Sequence, residues 1–239
     1  HCATLVIDDT ADLGPYDVDL LLNQNVGASA DLYEQTTALP TLLLGQAYTL
    51  LRREFLDAER EADRHEPPTV LVTLGGSDPN DLAGLVLRGL ELVEIPLDVT
   101  LVVGGSNPRA SRYREAASRH SITVRENVSS MAPLMAGANV AITAGGSTCW
   151  ELSYLGVPSL VIIGADNQII VAEALERAGG GRNLGRHTEL DGGRIATELG
   201  ELLADEPLRQ QMSASLTRLL DGKGSARVVA ALREIQTTR

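Results

Sequence analysis

Three glycine pairs, Gly75-Gly76, Gly104-Gly105 and Gly145-Gly146, each follow a short apolar run and precede a helix-like segment. Glycine lets a backbone approach a phosphate closely, and the first turn of a helix offers unpaired N–H groups and the positive end of its dipole. Tight strand-to-helix turns also use glycine for purely conformational reasons, so the set carries more weight than any one pair. Gly75-Gly76-Ser77-Asp78-Pro79 and Gly104-Gly105-Ser106-Asn107-Pro108 echo one another. Shared turn chemistry explains the echo, because Asp-Pro and Asn-Pro start turns. The first copy is the stronger candidate because it opens the second half of the chain.

The run Gly145-Gly146-Ser147-Thr148 with Glu151 carries the most information. Ser147 or Thr148 can cap the following helix and also bond a phosphate. Glu151 falls in the first turn, where a carboxylate can accept both hydroxyls of a ribose. The same spacing also fits a capping box. Asp166-Asn167-Gln168 follows the next apolar run. Asp166 suits a helix N-cap, and Asn167 and Gln168 sit where a phosphate or a sugar hydroxyl can reach them.

These loops need strands before them and helices after them. Apolar runs at residues 5–7, 19–22 and 41–44 end in polar residues or glycine and read as buried parallel strands. A charge-rich stretch at residues 50–65 reads as a helix, broken at Pro67-Pro68. The alternation restarts beyond it. Strands are expected at residues 70–74, 99–103, 122–124, 140–143 and 159–163, with helices between them and three helical segments at the end. This pattern predicts an α/β fold with parallel sheets. The expected division is residues 1–56, a linker at 57–68, a larger domain at 69–224 and a closing helix at 225–239.

Composition limits the chemistry. Aromatics are 3% of the 239 residues, too few for the stacking platforms of single-stranded nucleic-acid binding. The net charge of -12 opposes nucleic acid and anionic membranes, so no nucleic-acid partner is expected. A phosphate must then be held locally, by backbone N–H groups, helix dipoles or a few arginines. Lys223 is the single lysine, which removes most lysine chemistry. Cys2, Cys149 and the four scattered histidines His1, His65, His120 and His187 show no metal-ligand spacing. No apolar run reaches the ~20 residues of a membrane span, and no signal peptide is evident, so a cytoplasmic location is expected. The chain starts at His1 and enters a strand almost at once, from which an upstream segment is expected.

Six runs occur in order: Leu5-Val6-Ile7-Asp8-Asp9, residues 19–25, residues 44–52, Gly75 to Pro79, Ala144 to Thr148 with Trp150-Glu151, and Asp166-Asn167-Gln168. Together they resemble the UDP-2,4-diacetamido-2,4,6-trideoxy-β-L-altropyranose hydrolases of pseudaminic acid biosynthesis, a group with spore-coat polysaccharide relatives. That family is similar in fold to the undecaprenyl-linked N-acetylglucosaminyltransferase of peptidoglycan synthesis. The resemblance implies a GT-B-like fold of two Rossmann-type parallel-sheet domains, the N-terminal one incomplete in this chain, with a UDP-sugar held by the C-terminal domain.

It also implies roles. Glu151 would hold the ribose, Gly75, Gly76 and Ser77 with Gly145 to Thr148 would cradle the diphosphate, and Met131 would lie near the uracil. Asn167 matches a family asparagine near the reacting centre. The family's activity is attack by water that releases UDP, with no metal or other cofactor. Its catalytic histidine lies in a glycine-rich loop near the family's N-terminus, and nothing in this sequence corresponds to it. The other readings are a glycosyltransferase that uses the same donor site with an acceptor in place of water, and a non-catalytic nucleotide-sugar-binding fragment.

Overall fold

The computed structural model describes residues 3–11, 14–34, 40–60, 66–116 and 118–238. The fold is α/β, with two separate parallel sheets. The first contains β1 (Leu5–Ile7), β2 (Leu20–Asn23) and β3 (Thr41–Leu44), in that order. A single helical turn, α1 (Arg53–Leu56), follows.

The second sheet is built from β4 (Thr69–Thr73), α2 (Leu82–Leu90), β5 (Asp98–Val103), α3 (Ala110–Glu115), β6 (Ser121–Glu126), α4 (Ala132–Ala136), β7 (Val140–Ala144), α5 (Thr148–Tyr154), β8 (Ser159–Ile163), α6 (Ile169–Arg177) and β9 (Gly181–Arg186). Its strand order is β6-β5-β4-β7-β8-β9. The chain runs outward from β4 to one edge, returns to β7 beside β4, and runs to the other edge. In such a doubly wound sheet the crossover between β4 and β7 opens a crevice at the carboxyl ends of the strands.

The central strands are buried on both faces, which is why their sequences are continuous apolar runs. Val70 and Val72 of β4 point into one layer with Val86 and Leu90 of α2 and Ile195 and Leu199 of α7 (Gly192–Ala204). Leu71, between them, points into the opposite layer with Phe55, Met135, Ala141 and Leu152. Each such side chain contributes roughly 1.5–3 kcal/mol by burial.

Helix α8 (Glu206–Leu219) packs beside α5, and α9 (Gly224–Thr238) returns to the first sheet. Val228, Ala231, Leu232 and Ile235 of α9 cover Leu20, Leu22 and Leu43. The closing helix therefore fastens the small sheet to the rest of the chain. Among the described residues, no helix is long and apolar enough to cross a membrane.

Two elements differ from the sequence expectation. The helix expected at residues 50–65 is reduced to the one turn of α1 within its described part; residues 61–65 lie outside the described residues. Phe55 of that turn is fully buried against the large sheet, so tertiary packing, not helix propensity, sets the conformation. Strand β9, of sequence GRNLGR, was not expected at all. Its pairing with β8 makes it a strand despite two glycines and only one fully buried apolar side chain, Leu184.

Candidate functional site

An open cleft of about 260 Å³ lies at the carboxyl ends of β4, β5 and β7. Gly75, Gly76, Met131, Thr148 and Glu151 all line it, so five of the expected site residues from three separate loops converge on one place. Thr73, Gly104, Asn127, Val128, Met135 and Arg52 complete most of its wall.

The glycines divide into two kinds. Gly75, Gly76 and Gly146 have open space where a Cβ would stand. Gly75 also holds φ at +90°, a conformation that favours glycine. In contrast, a Cβ on Gly145 would stand 2.6 Å from the Gln168 carbonyl oxygen, and one on Gly105 would meet the Asn127 side chain. The first kind leaves room for a ligand against the backbone. The second lets the loops pack together.

Gly105 N–H donates to Asn127 Oδ1 at 2.8 Å, which draws the loop after β6 toward the loop after β5. Asn127 has a φ of 50°, which asparagine tolerates better than most residues. Ser77, Asp78, Gly145, Gly146, Ser147, Asn167 and Gln168 lie outside the lining of the cleft. Ser147 and Asn167 are exposed.

Asp78 turns its carboxylate toward the start of α2. Its two carboxylate oxygens accept the backbone N–H groups of Leu82 and Ala83 at 2.8 and 2.9 Å, and the residue is buried. It caps α2 and so aims that helix at the loop before it. Gln168 Oε1 accepts from Gly164 N–H, a contact that fixes the turn after β8. Asp166 is not an N-cap; its carboxylate accepts from Arg186 at 2.7 Å.

The capping box that Ser147 or Thr148 could form with Glu151 is not seen: the N-cap residue Ser147 makes no side-chain capping bond at α5, and the bonds of Glu151 go elsewhere. The Glu151 carboxylate instead meets Arg52, whose Nε and Nη2 both lie 3.2 Å from Oε1. No described residue bonds Oε2. Burial pushes the Glu151 carboxyl above the usual carboxylate range, against the pull of the Arg52 charge. Arg52 Nη1 also donates to Glu54 at 2.7 Å, and the guanidinium lies over the Phe55 ring.

Glu54 is itself held by the Ser130 hydroxyl and the Ala132 N–H. Burial raises its pKa, but these bonds and Arg52 outweigh that and leave it below the ordinary value. Arg52 was not singled out from the sequence, because nothing local marks a contact made across 99 positions. Asn127 had a weak signal, an asparagine directly after a strand.

Cys149 lies next to the glycine loop but is fully buried, and burial pushes its thiol up to about 12. It is not a nucleophile at neutral pH. Among the described residues, no cluster of His, Cys, Asp and Glu is arranged to hold a metal. The arrangement is suited to binding: open glycines and one partly buried carboxylate around a cleft with an apolar side at Met131, Met135, Val102 and Val128.

Comparison with known proteins places this geometry. Residues 69–227 match the family model described as glycosyltransferase family 28 C-terminal domain. The spore coat polysaccharide biosynthesis protein SpsG of Bacillus subtilis is 29% identical over 195 residues, which are 80% of this chain and 58% of that protein. The UDP-N-acetylglucosamine–N-acetylmuramyl-(pentapeptide) pyrophosphoryl-undecaprenol N-acetylglucosamine transferase of Acidithiobacillus ferrooxidans is 30% identical over 74% of this chain and 51% of that protein. The chain thus spans little more than half the length of these relatives.

Among solved structures, MurG of Acinetobacter baumannii superposes with a TM-score of 0.68 at 16% identity, over 97% of this chain and 67% of that one. WaaG, a glycosyltransferase involved in lipopolysaccharide biosynthesis, does so with a TM-score of 0.61 at 14% identity, over 84% of this chain and 58% of that one. These likenesses show a GT-B-like fold. Through residues 69–227, which hold every strand of the large sheet and all but one of the residues named in the cleft, the chain belongs to the glycosyltransferase family 28 C-terminal domain family.

Proposed function

We propose that this chain is the donor-binding part of a UDP-sugar-dependent glycosyltransferase. The observation that carries the reading is the convergence of Gly75, Gly76, Met131, Thr148 and Glu151 on one cleft at the crossover of the large sheet. Family membership supports it, as does the A. ferrooxidans relative, a transferase named for UDP-N-acetylglucosamine.

In this reading Glu151 accepts the ribose hydroxyls, and the apolar wall at Met131 takes the base. The backbone at Gly75, Gly76 and Thr148 faces the diphosphate, with Ser77 and the Gly145-Gly146-Ser147 turn at its outer edge. Asn167 and Gln168 stand toward the sugar. Asp78 contributes by holding α2. Transfer breaks the bond between the sugar anomeric carbon and the phosphate oxygen, UDP leaves with that electron pair, and the acceptor hydroxyl gives up its proton as its oxygen bonds the carbon. Residues 1–56 then belong to the acceptor-side domain, with 57–68 as linker, 69–224 as donor domain and 225–239 as the helix that ties the two together.

The resemblance to UDP-sugar hydrolases keeps water as a second possible acceptor, though the transferase relatives favour the first reading. Calorimetric titration of the chain with UDP, against ADP and GDP, tests the donor site. Saturable binding with preference for UDP is expected. Absence of UDP binding overturns the reading. Release of UDP from a UDP-sugar without added acceptor, by this chain or a longer protein that carries it, turns the assignment to the hydrolase.

A further inference from the structure

Arg52 belongs to neither sheet. It lies on the connection between them, just before α1, and its side chain reaches the wall of the cleft. Both of its bonds to Glu151 fall on Oε1, and none from a described residue falls on Oε2. Its remaining Nη1 engages Glu54, whose other oxygen is anchored to Ser130 and Ala132, on either side of Met131. The Phe55 ring lies under the guanidinium. A planar guanidinium held on three sides fixes the direction of the carboxylate it meets.

We infer that Arg52 is a positioning residue of the nucleotide site, holding Glu151 by Oε1 so that Oε2 is charged and free to accept a ribose hydroxyl. The inference rests on the reading of the cleft as a UDP site. Two charged groups face Glu151. Arg52 favours the carboxylate, while Glu54, paired to the same guanidinium, opposes it. Burial opposes it as well. Without Arg52, both remaining influences favour the protonated acid, which can no longer act as a double acceptor. Arg52 therefore keeps the ribose contact available as the pH falls toward the range in which this partly buried carboxylate takes up a proton.

The test is calorimetric titration with UDP across pH, reading the ratio of wild-type to variant affinity, because the ratio cancels the ligand's own protonation. For Arg52→Gln the ratio is expected to be about tenfold at about pH 7.5 and to grow about threefold further by about pH 5.5. In a Glu151→Gln background, adding Arg52→Gln is expected to change affinity less than about twofold at either pH. Arg52→Lys keeps the charge, so its ratio is expected to be smaller and flat with pH. It also serves if Arg52→Gln melts too low to be used. The inference is overturned if Arg52→Gln binds as wild type. It is equally overturned if the loss is the same with and without the Glu151 carboxylate, or if Arg52→Lys shows the pH dependence expected of Arg52→Gln. Failure of the wild-type chain to bind UDP overturns the donor-site reading and this inference together, whereas the other outcomes leave the donor site standing.

Discussion

A Cβ added to Gly104 would stand 2.3 Å from the Gly76 carbonyl oxygen, and the Gly104 N–H donates to that same oxygen at 3.1 Å. The loops after β4 and β5 are thus in backbone contact. The sequence echo between Gly75-Gly76-Ser77 and Gly104-Gly105-Ser106 has a physical meaning: Gly75, Gly76 and Gly104 all line the cleft, and the close backbone contact at Gly104 holds the first loop in place.

The two glycines should therefore respond differently to alanine. Gly104→Ala forces two backbones apart and is expected to cost about 2 kcal/mol or more of unfolding free energy, as overpacking does. Gly76→Ala meets no atom within 4 Å and should leave stability nearly unchanged, while its methyl group enters the cleft and weakens UDP binding. Urea denaturation and UDP titration of both variants check this. Equal stability losses would mean that Gly76 is a packing glycine too.

Asp78 caps a buried helix start from a left-handed backbone, with φ at 41°. Asp78→Ala removes both acceptors and places a β-carbon without polar compensation in that conformation. A loss of roughly 2 kcal/mol is expected from the cap and the backbone together. UDP affinity should stay within about twofold, since the carboxylate faces α2. A fall in affinity at unchanged melting temperature would put Asp78 back among the ligand contacts.

How much of this could be read in advance follows from where each signal resides. Strands β4, β7 and β8 were legible because a parallel strand buried on both faces must be a short apolar run, and Val140–Ala144 or Ser159–Ile163 fit little else. Strand β9 was not, since its glycines and arginines become a strand only through pairing with β8. The loops were legible by their glycines, and Gly75, Gly76, Thr148 and Glu151 do meet in one cleft. Their division of labour was not. Which glycine is open depends on the neighbouring loop, and the direction of Asp78 depends on its own φ. The partner of Glu151 lies 99 positions away in the chain, on a connection whose sequence suggested only a charged helix.

Acid should act through Glu54. Its folded-state pKa lies below the ordinary value of 4.5, so the stability it contributes is full above that value and is lost as the pH falls through the lowered folded value. The stability gap between wild type and Glu54→Gln should therefore be constant above about pH 5.5 and narrow below about pH 4.5. Chemical denaturation at several pH values gives the gap directly. A gap that widens on acidification would show that Glu54 is not held as a charged group by Ser130, Ala132 and Arg52.

Glu151 permits the most direct test of the site. No capping bond depends on it, so Glu151→Gln should cost little stability beyond the pair with Arg52, which as a partly exposed ion pair is worth about 0–1 kcal/mol. A charge-assisted hydrogen bond to a ribose hydroxyl is worth more, about 1.5–3 kcal/mol, so UDP affinity should fall by roughly tenfold or more. Loss of affinity alone does not identify the ribose, because the substitution also leaves Arg52 without its carboxylate. Comparing UDP with 2′-deoxy-UDP does. If Glu151 accepts the 2′-hydroxyl, removing the hydroxyl and removing the charge eliminate the same contact, and the two losses will not add in a double cycle. Additive losses would place the 2′-hydroxyl elsewhere and move the ribose away from α5.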